Sequence, residues 1–192
     1  MHAPHDAGAE LEARWLQQTA QGDRAAFEQL FRALEHRLYR FVLGIVRVPQ
    51  TAEEITGDVM LDVWKHAARF RGQSKVSTWV FAIAHHKAMD ALRKRTPQHI
   101  DLNELAGLED EGRGPEASAL AASERRSVAE ALDLLSPEHR AVLELTFING
   151  YSQAEIAEIV GCPLNTVKTR AFYARQQLRR ILESRGVRRE IS

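Results

Sequence analysis

The sequence predicts an all-α fold of two small helical domains joined by a flexible acidic linker. Three observations carry this. Apolar residues recur at three-and-four spacing along most of the 192 residues. Capping residues, prolines and glycines interrupt that pattern where helices should start and stop. No stretch of useful length alternates apolar with polar residues as a half-buried strand does. Composition agrees, with 44% hydrophobic and 27% charged residues, as in ordinary folded chains. The length suits one domain or two of roughly 60–100 residues.

Each element has its own reason. Leu11, Trp15 and Leu16 open an amphipathic helix that ends near Gly22. Asp23 caps a second helix carrying Phe27, Leu30, Phe31, Leu34, Leu38, Phe41, Val42 and Ile45 on one stripe, and Pro49 stops it. Thr51 is the expected cap of a third, with Glu53 and Glu54 in its first turn and Ile55, Val59, Val63 and Ala67 inward. Arg69–Lys75, with Gly72 and Ser74, reads as a loop. Ser77 is the expected cap of a fourth helix through Val80, Ile83, Ala84, Ala88 and Leu92. Residues 10–96 thus form one four-helix bundle. Residues 97–116 are rich in Gly, Pro and acids and read as the linker. Residues 117–185 form the second domain. There Ala117–Leu135 is helix-forming, and Ser136-Pro137-Glu138 starts a helix that runs to Phe147 and ends at Asn149-Gly150.

Several function classes drop out. The longest apolar runs, Phe41–Val46 and Trp79–Ala84, are six residues long, against about 20 for a membrane span, so no direct membrane insertion is expected. Met1–Trp15 carries Asp6, Glu10 and Glu12 around no apolar core, unlike a secretory signal. Cys162 is the only cysteine, which excludes a disulfide framework or a cysteine zinc site and fits a reducing cytoplasm. No HExxH, Walker loop or nucleophile elbow occurs. His85 and His86 are helix neighbours about 100° apart and cannot easily share one ion. The expectation is no enzyme, no metal, no cofactor and no small-molecule substrate.

The zero net charge hides a pattern. Residues 1–96 and 136–192 are each net +3, whereas 97–135 is net −6. Between Lys65 and Arg95 eight bases face one acid, and Pro163–Arg180 has five bases and no acid. Local basic faces of this kind suit a polyanion.

Two stretches say which polyanion. In Tyr151–Arg180, Ser152 with Glu155 is a capping box. Ala157, Gly161 and Val167 then carry the spacing of a helix-turn-helix: a small residue for close approach, a glycine for the turn, an apolar residue to pack the second helix back. That second helix presents Lys168, Thr169, Arg170, Tyr173 and Arg175 as a recognition helix would, with Arg179 and Arg180 placed for phosphates. In the first domain, Phe70, Arg71, Gln73, Ser74 and Lys75, followed by Trp79 and Phe81, interleave aromatic rings with bases. Rings stack on unpaired bases while cations follow the backbone, and an inter-helix loop can pocket a flipped base. Trp79 and Phe81 also read as core, and Phe70 as exposed or half-exposed.

Together the stretches Arg69–Arg95 and Leu135–Arg170 resemble regions 2 and 4 of the extracytoplasmic-function sigma factors of the sigma-70 family, with the resemblance covering about residues 10–185. It implies a dissociable initiation subunit of RNA polymerase that takes part in stress responses and is held inactive by an anti-sigma factor. The first domain would bind the clamp helices of the largest core subunit, then melt and read a −10 element as single strand. The second would read a duplex −35 element and touch the flap of the other large subunit. The two elements would lie about 16–17 base pairs, or roughly 55 Å of duplex, apart.

Carried over by residue, Arg69, Phe70, Arg71, Gln73, Ser74 and Lys75 would form the −10 loop, with Phe70 at the flipped base. Trp79, His86, Lys87 and Arg93 would follow the melted strand. Asn165, Thr166, Lys168, Thr169, Arg170, Phe172, Tyr173 and Arg175 would read the −35 element. Helix Thr51–Trp64 would meet the clamp through Glu54, Asp58, Leu61 and Asp62. The chain departs from the pattern at Gly57-Asp58, where the family usually has Gln then Glu, at His85-His86, where many members have Arg-Asn, and at Asn165, where many have Gly. The alternative reading is a stand-alone helix-turn-helix regulator that binds an operator without polymerase, and for that role the aromatic-basic loop is superfluous.

Overall fold

The computed structural model describes residues 4–95 and 127–185, with side chains from Gly8 onward, and its regular structure is all helical there. The expected linker 97–116 and the start of the helix expected over Ala117–Leu135 lie outside the described residues.

The N-terminal bundle has four helices, α1 (Pro4–Ala20), α2 (Arg24–Val46), α3 (Pro49–His66) and α4 (Val76–Arg95). Asp23 caps α2, its carboxylate accepting from the amides of Ala25 at 2.8 Å and Ala26 at 3.1 Å. α2 ends where Arg47 adopts φ 58° and returns its amide to Leu43. Two expected caps shift. Thr51 lies inside α3, because Pro49 occupies the first helical position with Val48 as the cap. Proline fixes φ for that position and lacks only an amide that would go unpaired anyway. Ser77 is buried in the first turn of α4, because Trp79 already donates to the Lys75 carbonyl one step earlier. A short 3₁₀ turn, Ala67–Arg69, leads from α3 into the loop before α4.

The C-terminal part contains a helix over 127–133 (α5), α6 (Pro137–Leu143), α7 (Gln153–Val160) and α8 (Leu164–Ser184). Ser136 caps α6 by accepting from the His139 amide. The helix expected to reach Phe147 does continue, but its last stretch, Glu144–Ile148, widens into a π turn. The Ser152–Glu155 capping box is complete, and Gly161 turns the chain at φ 66°.

The two parts share one core. Leu30, Leu34, Leu38, Phe41 and Phe81 of the bundle join Tyr151, Ile156, Ile159, Val167 and Ala171 in a single buried cluster. The Phe81 and Tyr151 rings meet edge to face at 5.3 Å, and the Arg37 guanidinium lies over both. Each large apolar side chain so buried contributes about 1.5–3 kcal/mol. A smaller cluster of Leu135, Leu143 and Ala174 ties α5, α6 and α8 together.

The seam between the parts is also charged. Arg140 of α6, 2% exposed, donates to the carbonyls of Leu132 at 2.9 Å and of Gly44 in α2 at 2.7 Å. Arg47 donates to the Asp133 carbonyl and lies 3.3 Å from its carboxylate. The Glu144 carboxylate rests against Gly44, and burial pushes it up to about 8 despite Arg40 and Arg47 nearby. A carboxyl whose proton is held more tightly in the folded state stabilises fully below its unfolded value, and that contribution fades as pH rises through the folded one. The thermal midpoint of the chain should therefore fall mainly between about pH 6.5 and about pH 8, because at lower pH the loss is offset by His85, whose buried imidazole is lowered to about 4 and gains stability as pH rises. Glu144→Gln should flatten that slope, as differential scanning fluorimetry across pH would show; an unchanged slope would place the titrating group elsewhere.

Candidate nucleic-acid interfaces

The helix-turn-helix is built by α7, the Gly161 turn and α8. Val167 and Ala171 anchor α8 in the core, which turns Asn165, Lys168, Thr169, Phe172, Tyr173 and Arg175 outward as exposed side chains. Thr166 and Arg170 are half-buried instead. Arg170 points back toward the turn, its guanidinium 3.9 Å from the Cys162 sulfur. Cys162 itself is half-buried and packs on the core. The rings of Phe172 and Tyr173, more than half exposed, meet edge to face at 5.4 Å. Thr169 spends its hydroxyl on the Asn165 carbonyl at 2.9 Å. Arg179, read as a phosphate contact, pairs with Glu183 at 2.7 Å.

In the bundle, Arg69, Arg71 and Gln73 are exposed on the loop, while Ser74 and Lys75 are half-buried. Phe70 is half-buried against Trp79, ring centroids 5.3 Å apart. Phe81 is wholly buried and Trp79 only partly, so only Trp79 offers a ring edge near the loop. His86 is exposed and donates Nδ1–H to the Ala82 carbonyl at 2.8 Å. Arg93 pairs with Asp90 at the end of α4.

Two loop and helix cations are tied to other elements. Lys75 reaches Glu155 of α7 at 2.9 Å. Burial raises the Glu155 carboxyl, but the Lys75 ammonium and the Ser152 hydroxyl and amide outweigh it and hold it below the usual range. Lys87 reaches Asp62 of α3 at 2.9 Å, joining the strand-following residues to the other candidate face. On that face Glu54, Asp58 and Leu61 are exposed and Asp62 half-buried, one side of α3 at helical spacing. A side chain added at Gly57 would meet open space, so this departure thins the surface without changing the packing.

Arg37, Gly44, Arg140, Glu144 and Tyr151 were invisible in the spacing, yet they join the two parts. The available signal was an Arg–Glu pair at positions 140 and 144, one helical turn apart, beside the wholly buried Ala141 and Leu145. His85, buried at the same seam, has its proton affinity lowered to about 4 by burial, then by His86 and Arg170.

Among the described residues no group of His, Cys, Asp and Glu could hold a metal ion, and no helix is long and apolar enough to cross a membrane.

The sequence matches the family descriptions Sigma-70 region 2 over residues 30–98 and Sigma-70, region 4 over residues 125–178. It is 33% identical over 177 residues to the ECF RNA polymerase sigma factor SigL of Mycobacterium tuberculosis, covering 88% of this chain and 97% of that one. It is 28% identical over 186 residues to SigK of Mycobacterium bovis, covering 95% and 99%. In fold it is similar to CnrH, solved in complex with the cytosolic domain of CnrY, with TM-score 0.68, 24% identity and coverage of 91% and 98%. It is also similar to RpoE of Bartonella quintana, solved with the anti-sigma factor NepR, with TM-score 0.63, 24% identity and coverage of 82% and 96%.

Proposed function

The chain belongs to the extracytoplasmic-function sigma factors of the sigma-70 family, and from that premise we propose how its surfaces divide the work of initiation. The α8 face, through Asn165, Lys168, Thr169, Phe172, Tyr173 and Arg175, enters the major groove of the −35 element. Arg170 and Thr166 support it from the half-buried side. The loop Arg69–Lys75 reads the melted −10 strand, with the Phe70–Trp79 pair as its stacking platform and His86, Lys87 and Arg93 following the backbone. Glu54, Asp58, Leu61 and Asp62 on α3 dock the clamp helices of core polymerase. Region 4 also touches the flap. The bond chemistry is the polymerase's, so this chain acts as a non-catalytic subunit, in the cytoplasm where polymerase and promoter meet. An anti-sigma factor restrains it until a stress signal arrives, as the complexes of the structural neighbours suggest.

The observation that carries this reading is the pairing, on one chain, of an exposed basic recognition helix with an aromatic-basic loop. The first suits duplex DNA and the second single strand. Run-off transcription tests it. Core polymerase plus this chain, given fragmented genomic DNA of the source organism, should yield new starts that share two elements about 16–17 base pairs apart. Absence of new starts, with a palindromic fragment shifted by the chain alone, would establish the operator-binding alternative instead.

A further inference from the structure

A cavity of about 100 Å³ lies between α1, α2, the start of α4 and the segment that leads into α7, against the roughly 10–15 Å³ that one water needs. Gly8 and Ala9 give it a side without bulk, and a Cβ added at Gly8 would meet nothing within 4 Å. Glu12, Arg37, Lys75, Ser77 and Tyr151 supply its polar lining. Of these, Lys75 alone belongs to the DNA-reading residues proposed above.

Two observations point to an oxyanion. The first is the Tyr151 side chain, which is 6% exposed, with its ring against Phe81 and under Arg37. Its hydroxyl has no hydrogen-bond partner among the described residues. Buried polar groups nearly always have one, because the bonds to water lost on burial must be replaced. Burial pushes this phenol up to about 12, and the nearby Ser77 hydroxyl and Arg37 only partly oppose that, so it remains a donor. The second is Arg37. Its guanidinium carries five N–H donors in a fixed fork, and among the described residues it spends one, on the Asn149 carbonyl at a long 3.5 Å. A cationic fork beside a phenol donor is an arrangement that a carboxylate accepts from readily. Lys75 adds positive charge, its ammonium 2.9 Å from Glu155. Glu12 sets the remaining requirement. A bare anion would meet its repulsion, so the ligand must also bring a donor for it.

We propose that this cavity binds a small hydroxy or amino acid, whose carboxylate takes the Arg37 fork and the Tyr151 and Ser77 hydroxyls while its adjacent hydroxyl or ammonium donates to Glu12. The ligand is held, not turned over. The site does not rest on the function proposed above.

The test uses the full chain, with glycolate, glycine, acetate and methylammonium as probes at fixed ionic strength. Isothermal titration calorimetry measures affinity, and scanning fluorimetry follows the melting midpoint. Glycolate or glycine should bind with a millimolar Kd or better and raise the midpoint. Acetate lacks the donor and methylammonium lacks the carboxylate, so both should bind at least about tenfold more weakly than the better acid. Tyr151→Phe keeps the ring that packs on Phe81 and removes only the hydroxyl. It should weaken that acid at least about tenfold and leave the ligand-free midpoint equal or higher. Arg37→Lys keeps the charge but loses the fork, and should weaken it similarly. Glu12→Gln should erase the discrimination against acetate. Glycolate ahead of glycine would support the site and identify a hydroxy acid; glycine ahead would support it and identify an amino acid. No heat and no midpoint shift from either, or undiminished binding by Tyr151→Phe, would overturn the site. A lower ligand-free midpoint in Tyr151→Phe would show that the hydroxyl is already satisfied, and would overturn it too. Acetate binding the unaltered chain as tightly as glycolate and glycine would overturn the pairing with Glu12.

Discussion

Alanine at both Lys168 and Arg170 should abolish initiation that depends on the −35 element and leave binding to core polymerase unchanged. Lys168 is exposed in the N-terminal half of α8, where a recognition helix meets base edges. Each lost base contact costs about 1–3 kcal/mol, and each lost phosphate contact lowers the salt slope by about 0.9. Loss of the Lys168 contact weakens −35 binding about fivefold to a hundredfold, and loss of Arg170 removes the support that it gives that face from the half-buried side. Neither side chain holds α8 in place, since Val167 and Ala171 do that from the buried side. The candidate clamp residues sit on α3, in the other part of the chain. Arg170 differs from Lys168 in being half-buried beside Cys162 and in helping to depress His85. The single variants should therefore separate: Lys168→Ala acts on DNA alone, while Arg170→Ala also eases protonation of His85 at the seam. Run-off on templates with and without the −35 element, beside a core-binding assay, measures both effects. A loss of core binding would show that α8 is not the recognition helix.

Most of the helices were legible because their signals are local. Asp23, Ser136 and the Ser152–Glu155 box each act within three residues, and each caps where the sequence places it. Thr51 and Ser77 are equally good caps by type. A proline two residues before Thr51, and a buried environment around Ser77, overrode them. The π turn at Glu144–Ile148 has no signature in spacing, since it differs from α-helix by one residue in register. The candidate DNA surfaces were legible as residue types, because exposed bases and aromatics on an otherwise amphipathic helix break its pattern. Their pairings were not. That Lys75 meets Glu155 and Lys87 meets Asp62 depends on contacts between residues 80 and 25 positions apart, which periodicity cannot register. The whole seam is illegible for the same reason. A tether of about 20 residues permits many placements, and the shared core around Phe81 and Tyr151, with the contacts of Arg140 on Gly44, Arg47 on Asp133 and Lys75 on Glu155, selects this one.

Arg140→Ala should destabilise the chain by about 3–5 kcal/mol. Its guanidinium donates to three carbonyls, those of Leu132, Leu135 and Gly44. Leu132 and Gly44 lie at the C-terminal ends of α5 and α2, where the last carbonyls lack helical partners and the helix dipoles favour a cation. One planar fork thus closes two helix ends at once and sits 3.3 Å from the Asp133 carboxylate. Alanine takes the side-chain donor from the Gly44 and Leu135 carbonyls, while the Leu132 carbonyl keeps the Leu135 amide, and an unpaired buried acceptor costs about 1–3 kcal/mol. At about 2–4 °C per kcal/mol for a chain of this size, the melting midpoint should drop by roughly 10 °C. Arg140→Lys keeps the charge but not the fork, so it should recover only part of the loss. Arg140→Met, matched in volume but without donors, should resemble alanine if hydrogen bonding dominates and approach wild type if packing does. Calorimetry of the three variants decides between these. A fall of under about 1 kcal/mol for alanine would mean that the two helix ends find other donors, and that the shared core around Phe81 and Tyr151 with the remaining ion pairs holds the halves together.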